Sequence, residues 1–140
     1  MRDNILTVSA IIIGIVAVVI VVFAARKFKS RLPRHLDSEK YEQRLKEIYV
    51  LLRDKKTWPL AVIEADKLLD EALRTRRFKG KTMGERLVSA QHEIKNNNDV
   101  WFAHKLRNKL VHERDIKLRQ RDVKDALLGI RAALRDLGAL

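Results

Sequence analysis

The sequence predicts an all-α protein, a single N-terminal transmembrane helix followed by a bundle of four to five helices. Three observations lead there. Residues 5–25 are 21 positions without a charge, interrupted in apolar character only by Thr7, Ser9 and Gly14. Residues 26–140 hold 29 of the 30 basic and 17 of the 18 acidic groups, and their apolar side chains recur at helical spacing with no sustained β alternation. Two prolines, five glycines and no cysteine leave little room for a loop-rich or disulfide-built chain.

Residues 1–4 read as a short extracytoplasmic N-terminus. A helix over 5–25 reaches about 30 Å, the thickness of one bilayer core. Thirteen of its 21 residues are Ile, Val or Thr, which form helices poorly in water. The run exceeds the apolar stretch of about 7–15 residues in a signal peptide, which favours a retained anchor over a cleaved leader. Arg26, Lys27, Lys29, Arg31 and Arg34 follow it. By the positive-inside rule these residues predict a single-pass protein of the plasma (inner) membrane, with the N-terminus outside and the C-terminal domain cytoplasmic. The expected partners of this part are the lipid bilayer and, for the basic flank, anionic lipid headgroups.

Residues 26–37 read as a basic juxtamembrane linker containing Pro33, and residues 38–140 as the helical bundle. Asp37 or Ser38 can cap a first helix, in which Tyr41, Leu45, Ile48 and Leu52 fall on one stripe. Thr57 is suited to cap a second, with Pro59 in its first turn and Trp58, Ala61, Val62, Ala65, Leu68, Leu69, Ala72 and Leu73 facing inward. A basic stretch, Arg74, Arg76, Arg77, Lys79 and Lys81, ends that helix near Gly80. Thr82 and Glu85 have the capping-box spacing for a third helix, with Met83, Leu87, Ala90 and Ile94 inward. Residues 96–99 supply a polar turn before a fourth helix over roughly 100–113. A fifth carries Val123, Ala126, Leu127, Ile130, Leu134 and Leu137 on one face, with Gly138 at its C-terminal cap.

The formal charge of +12 arises entirely in residues 26–140. Such a surface suits phosphate, whether on nucleic acid or on lipid. The absence of cysteine excludes thiol catalysis and Cys-ligated zinc. The sequence has no Walker-type loop, dinucleotide-binding glycine pattern, His-Glu-x-x-His or Gly-x-Ser-x-Gly, and no cofactor or metal is expected.

The segment Trp101-Phe102-Ala103-His104-Lys105-Leu106-Arg107-Asn108-Lys109-Leu110-Val111-His112 carries the chemistry. His104, Asn108 and His112 share one helical face with Trp101. Arg107 falls inside the apolar stripe, where a charge needs a partner. Asp66, at the edge of the second helix's stripe, can supply it, so Asp66–Arg107 is the expected structural pair.

Arg107-Asn108-x-x-x-His112 resembles the Arg-x4-6-His motif of the HEPN superfamily, including the polar residue after its Arg. Trp101, His104 and the trailing Leu110-Val111-His112-Glu113 add to the likeness, which covers roughly residues 38–140. The resemblance implies a helical dimer whose paired motifs line a shared cleft. It further implies RNA binding, or metal-independent RNA cleavage through the 2′-hydroxyl with Arg107, Asn108 and His112 as catalytic residues. Trp101, His104, Arg74, Arg76 and Arg77 are the expected binding residues. The resemblance equally accommodates non-catalytic interaction or scaffold modules, in which Arg107 and His112 are structural. On an ideal helix Arg107 and His112 stand about 140° apart, so they converge only through distortion of the helix end or between two chains.

Overall fold

A computed structural model describes residues 14–23, 35–113 and 115–140. The chain divides into two compact units, Met1–Pro33 and Arg34–Leu140. Among the described residues all regular structure is helical.

In the first unit, residues 14–23 form a helix, α1, with exposed side chains. This corrects the transmembrane expectation. No helix among the described residues is long and apolar enough to cross a membrane. The single-pass topology and the inner-membrane location rested on that span and are withdrawn with it. The rest of the expected span (residues 5–13, 24 and 25) and the basic residues from Arg26 to Arg34 lie outside the described residues.

Among its described residues the second unit contains five helices. These are α2 (Ser38–Val50), α3 (Trp58–Thr75), α4 (Met83–Ala90), α5 (Asn97–His112) and α6 (Gln120–Asp136), with two 3-10 turns, Leu51–Arg53 and Lys55–Thr57, between α2 and α3. The central helix is α3, which touches α2, α4, α5 and α6. Its inward stripe is fully covered: Ala61, Val62, Ala65, Leu68, Leu69, Ala72 and Leu73 are all buried. Alanines at three of these positions let neighbouring helices approach closely, and the leucines fill the spaces between them.

Local sequence sets the ends of the helices. The Asp37 carboxylate accepts the Lys40 backbone N–H at 3.2 Å and caps α2. Thr57 occupies the N-cap position of α3 without making a cap bond. Its hydroxyl instead donates to the carbonyls of Leu51 and Asp54, tying the 3-10 turns together. The Thr82 hydroxyl caps α4 by accepting the Glu85 N–H at 3.2 Å, and the Glu85 carboxylate accepts the Lys81 N–H at 2.6 Å. This is the reciprocal capping pattern shifted by one residue. At the start of α6, Arg119 donates to both carboxylate oxygens of Asp122 and holds that carboxyl below its ordinary range. The brace is therefore present at neutral pH and is lost as pH falls through the lowered value.

Two helices end in six-to-one closures. At Gly138 (φ 76°), the Ala139 N–H reaches the Leu134 carbonyl, as the sequence pattern anticipates. At the end of α3, Arg77 takes the left-handed position (φ 62°) and the Phe78 N–H bonds the Leu73 carbonyl. The stop thus lies three residues before Gly80. Gly80 serves another purpose: a Cβ there would lie 2.7 Å from the backbone nitrogen of Arg86, so only glycine lets the loop press against α4.

Helices α5 and α6 meet most closely at Gly129, where a Cβ would stand 2.9 Å from the Asp99 carbonyl oxygen. Because the obstacle is backbone, Gly129→Ala is expected to force the helices apart. The destabilisation should be about 1–3 kcal/mol, read as a lowered midpoint in urea unfolding, whereas Leu128→Ala on the exposed side should leave the midpoint nearly unchanged.

Candidate nucleic-acid interface

Two carboxylates one turn apart on α3, Asp66 and Asp70, organise the region between α3, α4 and α5. Asp66 is 3% exposed. Its Oδ1 lies 3.0 Å from Nδ1 of His104, itself 9% exposed. Its Oδ2 lies 3.5 Å from Nε of Arg107, an ion-pair distance without a hydrogen bond. Asp70 receives Arg86 in a two-pronged contact, Nε at 2.7 Å and Nη2 at 3.0 Å, and Arg74 approaches it from the next turn at 2.8 Å. The third prong of Arg86, Nη1, donates to the Gly80 carbonyl at 2.8 Å.

The hydrogen-bond directions around Asp66 follow from the chemistry of the groups. Nη1 of Arg107 can only donate, so the side-chain oxygen of Asn108, 3.0 Å away, faces it. The Asn108 amide nitrogen then points at Nε2 of His104, 3.3 Å away, and donates to it. With Nε2 accepting, the imidazole proton sits on Nδ1 and is donated to Asp66. The result is an ordered chain: Asp66, His104, Asn108, Arg107. Trp101 closes one side, its ring edge-on to His104 with centroids 5.9 Å apart. Gly84 of α4 covers Trp101 and Nε2 of His104 so nearly that a Cβ would stand 3.6 Å and 3.9 Å from them.

This network forms the floor of an open cleft of about 560 Å³. The ionisable groups that line it are the cations Lys67, Arg74, Lys81, Arg86 and Arg107, the acids Asp66 and Asp70, and His104. Arg86 and Arg74 hold Asp70, and Lys67 pairs with Glu64 at 2.7 Å, so the positive groups facing solvent are chiefly Lys81 and the part-exposed Arg107, with Lys67 shared. Arg107 differs from Arg86 in one respect. The Arg86 side chain is 6% exposed and bonded on every side, whereas that of Arg107 is 30% exposed and its Nε has no hydrogen-bond partner.

The residues singled out in the sequence fall into three groups. Asp66, His104, Arg107, Asn108 and Arg74 converge on the cleft, with Trp101 packed beside it. Arg76 faces elsewhere: it donates to the Leu137 carbonyl at 3.0 Å and to the Glu93 carboxylate at 2.6 Å, tying the end of α3 to the end of α6. Arg77 is the left-handed residue closing α3 and is not part of the cleft lining. His112 is the exposed last residue of α5 and is also outside that lining. Arg86, Asp70, Lys67 and Gly84 escaped sequence reasoning as site residues. The available signal was the four-residue spacing of Asp66 and Asp70 on a stripe otherwise apolar, which demands two cationic partners. Among the described residues, no three His, Asp or Glu side chains are arranged to hold a metal ion.

The two arginines should separate in stability measurements. Arg86→Ala removes the two-pronged partner of Asp70 and the bond to the Gly80 carbonyl, leaving Asp70 with Arg74 alone, and is expected to cost about 1.5–3 kcal/mol. Arg107→Ala is expected to cost clearly less, because water already reaches its guanidinium and His104 continues to hold Asp66. Urea unfolding of both variants reads the difference, and an Arg107→Ala loss as large as that of Arg86→Ala would make Arg107 a purely structural residue. Compared with family models, with curated proteins and with solved structures, the chain matches none.

Proposed function

We propose that the Arg34–Leu140 unit is a HEPN-like RNA-binding domain whose binding surface is the cleft between α3, α4 and α5. The observation that carries this reading is Arg107. Its side chain is 30% exposed in an open cleft lined by cations, and the guanidinium N–H groups not used by Asp66 and Asn108 can donate to an anionic oxygen. Lys67 and Lys81 extend the positive surface along the path of a phosphodiester backbone. Trp101 packs edge-on against His104 at one side of it. The dimer implied by the HEPN resemblance is part of the proposal, with α5 near the interface.

One observation favours the non-catalytic form of the reading over cleavage by Arg107 and His112 of one chain. His112 ends α5 in solvent, while Arg107 sits in the cleft. Binding requires only the cleft, so binding is the function proposed.

Fluorescence anisotropy of a labelled single-stranded RNA, titrated with the full chain over a range of salt, tests this. The logarithm of affinity should fall linearly with that of salt, by about 0.7 per phosphate neutralised. Arg107→Ala should weaken binding roughly tenfold or more, the effect of losing a charge-assisted contact of about 1.5–3 kcal/mol. Lys67→Ala and Lys81→Ala should each flatten the salt slope by about 0.7. Unchanged affinity in Arg107→Ala would overturn the assignment of the cleft.

A further inference from the structure

We propose that the groove between α2 and α6 is a second binding site, which takes a small organic acid: a carboxylate carried on an apolar body such as a medium-length acyl chain. The groove shares no lining residue with the cleft between α3, α4 and α5, and its assignment does not rest on the RNA-binding reading.

The groove is a gap in the packing of the bundle. Helices α2 and α6 both pack on α3. A space of about 410 Å³ is left between them, within the range of about 300–1,000 Å³ typical of small-ligand pockets. The buried Leu45 and the half-buried Tyr49 and Leu140 give it an apolar lining continuous with the core. Around that lining stand Glu42 and Lys46 of α2 and Arg131 and Arg135 of α6. Three cations therefore face one acid across an apolar surface.

The two arginines lack the partners that others near them have. At the start of α6, Arg119 bonds Asp122 and Arg121 pairs with Asp125. Around Arg131 and Arg135, the positions three and four residues away are Leu, Ala, Gly and each other, so their face of the helix supplies no acid. Among the described residues neither arginine makes an ion pair or a side-chain hydrogen bond. Glu42 lies 3.9 Å from Lys46 and reaches neither of them, and Asp136 accepts the Lys95 backbone N–H at 2.9 Å. Side chains four apart on a helix are neighbours, so the two guanidiniums repel each other. An oxyanion between them relieves that repulsion and accepts N–H groups from both. Glu42 opposes a second negative charge in the groove, which favours the single charge of a carboxylate over a phosphate ester. The apolar body of the acid covers the exposed parts of Tyr49 and Leu140 and so removes them from water.

The test is residue-resolved amide NMR of the full chain titrated with octanoate, with acetate, 1-octanol and octyl phosphate in parallel. Octanoate is expected to shift the amides around Tyr49, Arg131 and Arg135 saturably. Acetate, which lacks the apolar body, and 1-octanol, which lacks the charge, should each bind at least about tenfold more weakly. Arg131→Gln and Arg135→Gln should each weaken octanoate about tenfold, the factor for a lost charge-assisted hydrogen bond. Both side chains are exposed, so both variants are expected to fold. Arg121→Gln, on the same helix but outside the groove, should leave octanoate binding unchanged. Acetate binding as tightly as octanoate, or unchanged octanoate affinity in both arginine variants, overturns the site. Octyl phosphate binding more tightly than octanoate overturns its assignment to a carboxylate. RNA anisotropy with Arg131→Gln separates the two surfaces: an affinity within about threefold of the parent is expected for a screened charge outside the cleft, and a tenfold loss would make the groove part of the RNA surface instead.

Discussion

A buried carboxylate and a part-buried one on the central helix constrain everything around them. Asp66 and Asp70 stand one turn apart on α3, on the side that α4 and α5 cover, and neither can be left unpaired away from water. Asp70 recruits Arg86, which fixes α4 and, through the Gly80 carbonyl, the loop before it. Asp66 recruits His104 and Arg107, which fix the rotation of α5. The apolar contacts of α3 drive these helices together. The carboxylates determine how each is turned when it arrives, because a helix rotated by one residue would bury the wrong side chains against them. The cleft is the outcome: it opens where polar groups, not leucines, line the seam.

This division explains what could be read directly from the chain. Apolar periodicity located all five helices of the second unit, because burying a stripe is a local requirement that each helix states in its own residues. Asp37, Thr82 and Gly138 announced helix ends for the same reason. Asp66 and Arg107 were visible as charges out of place in apolar stripes. The Asp70–Arg86 pair was not, although Arg86 also belongs to an Arg-x5-His spacing, since a pair between two helices is a fact about their packing. Gly129 was silent too: its role depends on the backbone at Asp99, 30 residues earlier. His104 was read as a binding residue from its shared face with Trp101, but nothing local showed that Asp66 would stand behind it. Thr57 had the right residue type for a cap and found better acceptors in the preceding turns. The apolar run of residues 5–25 carried a strong hydropathy signal, whereas no helix among the described residues is long and apolar enough to cross a membrane.

The net charge of +12 also changes meaning once positions are known. Charge counted along a sequence treats every arginine alike, but the protein uses them differently. Arg86 is an interior strut and Arg76 fastens the end of α6, each neutralised by a neighbour. Arg74 is shared with Asp70. What remains at the cleft is a smaller set, Lys81, Arg107 beside Asp66 and Lys67 beside Glu64, and its arrangement carries more information than the total.

The packing of α5 has a dynamic corollary. Its buried residues, Val100, Ala103 and His104, all lie in the first half, where the Asp99 backbone presses on Gly129, while Val111 and His112 end the helix in solvent. Local opening free energies follow burial, so this one helix holds a gradient: amides near its start exchange only when the whole unit opens, and those near its end exchange by fraying. A side chain at residue 104 keeps its position through nearly every fluctuation of the folded state. One at residue 112 does not.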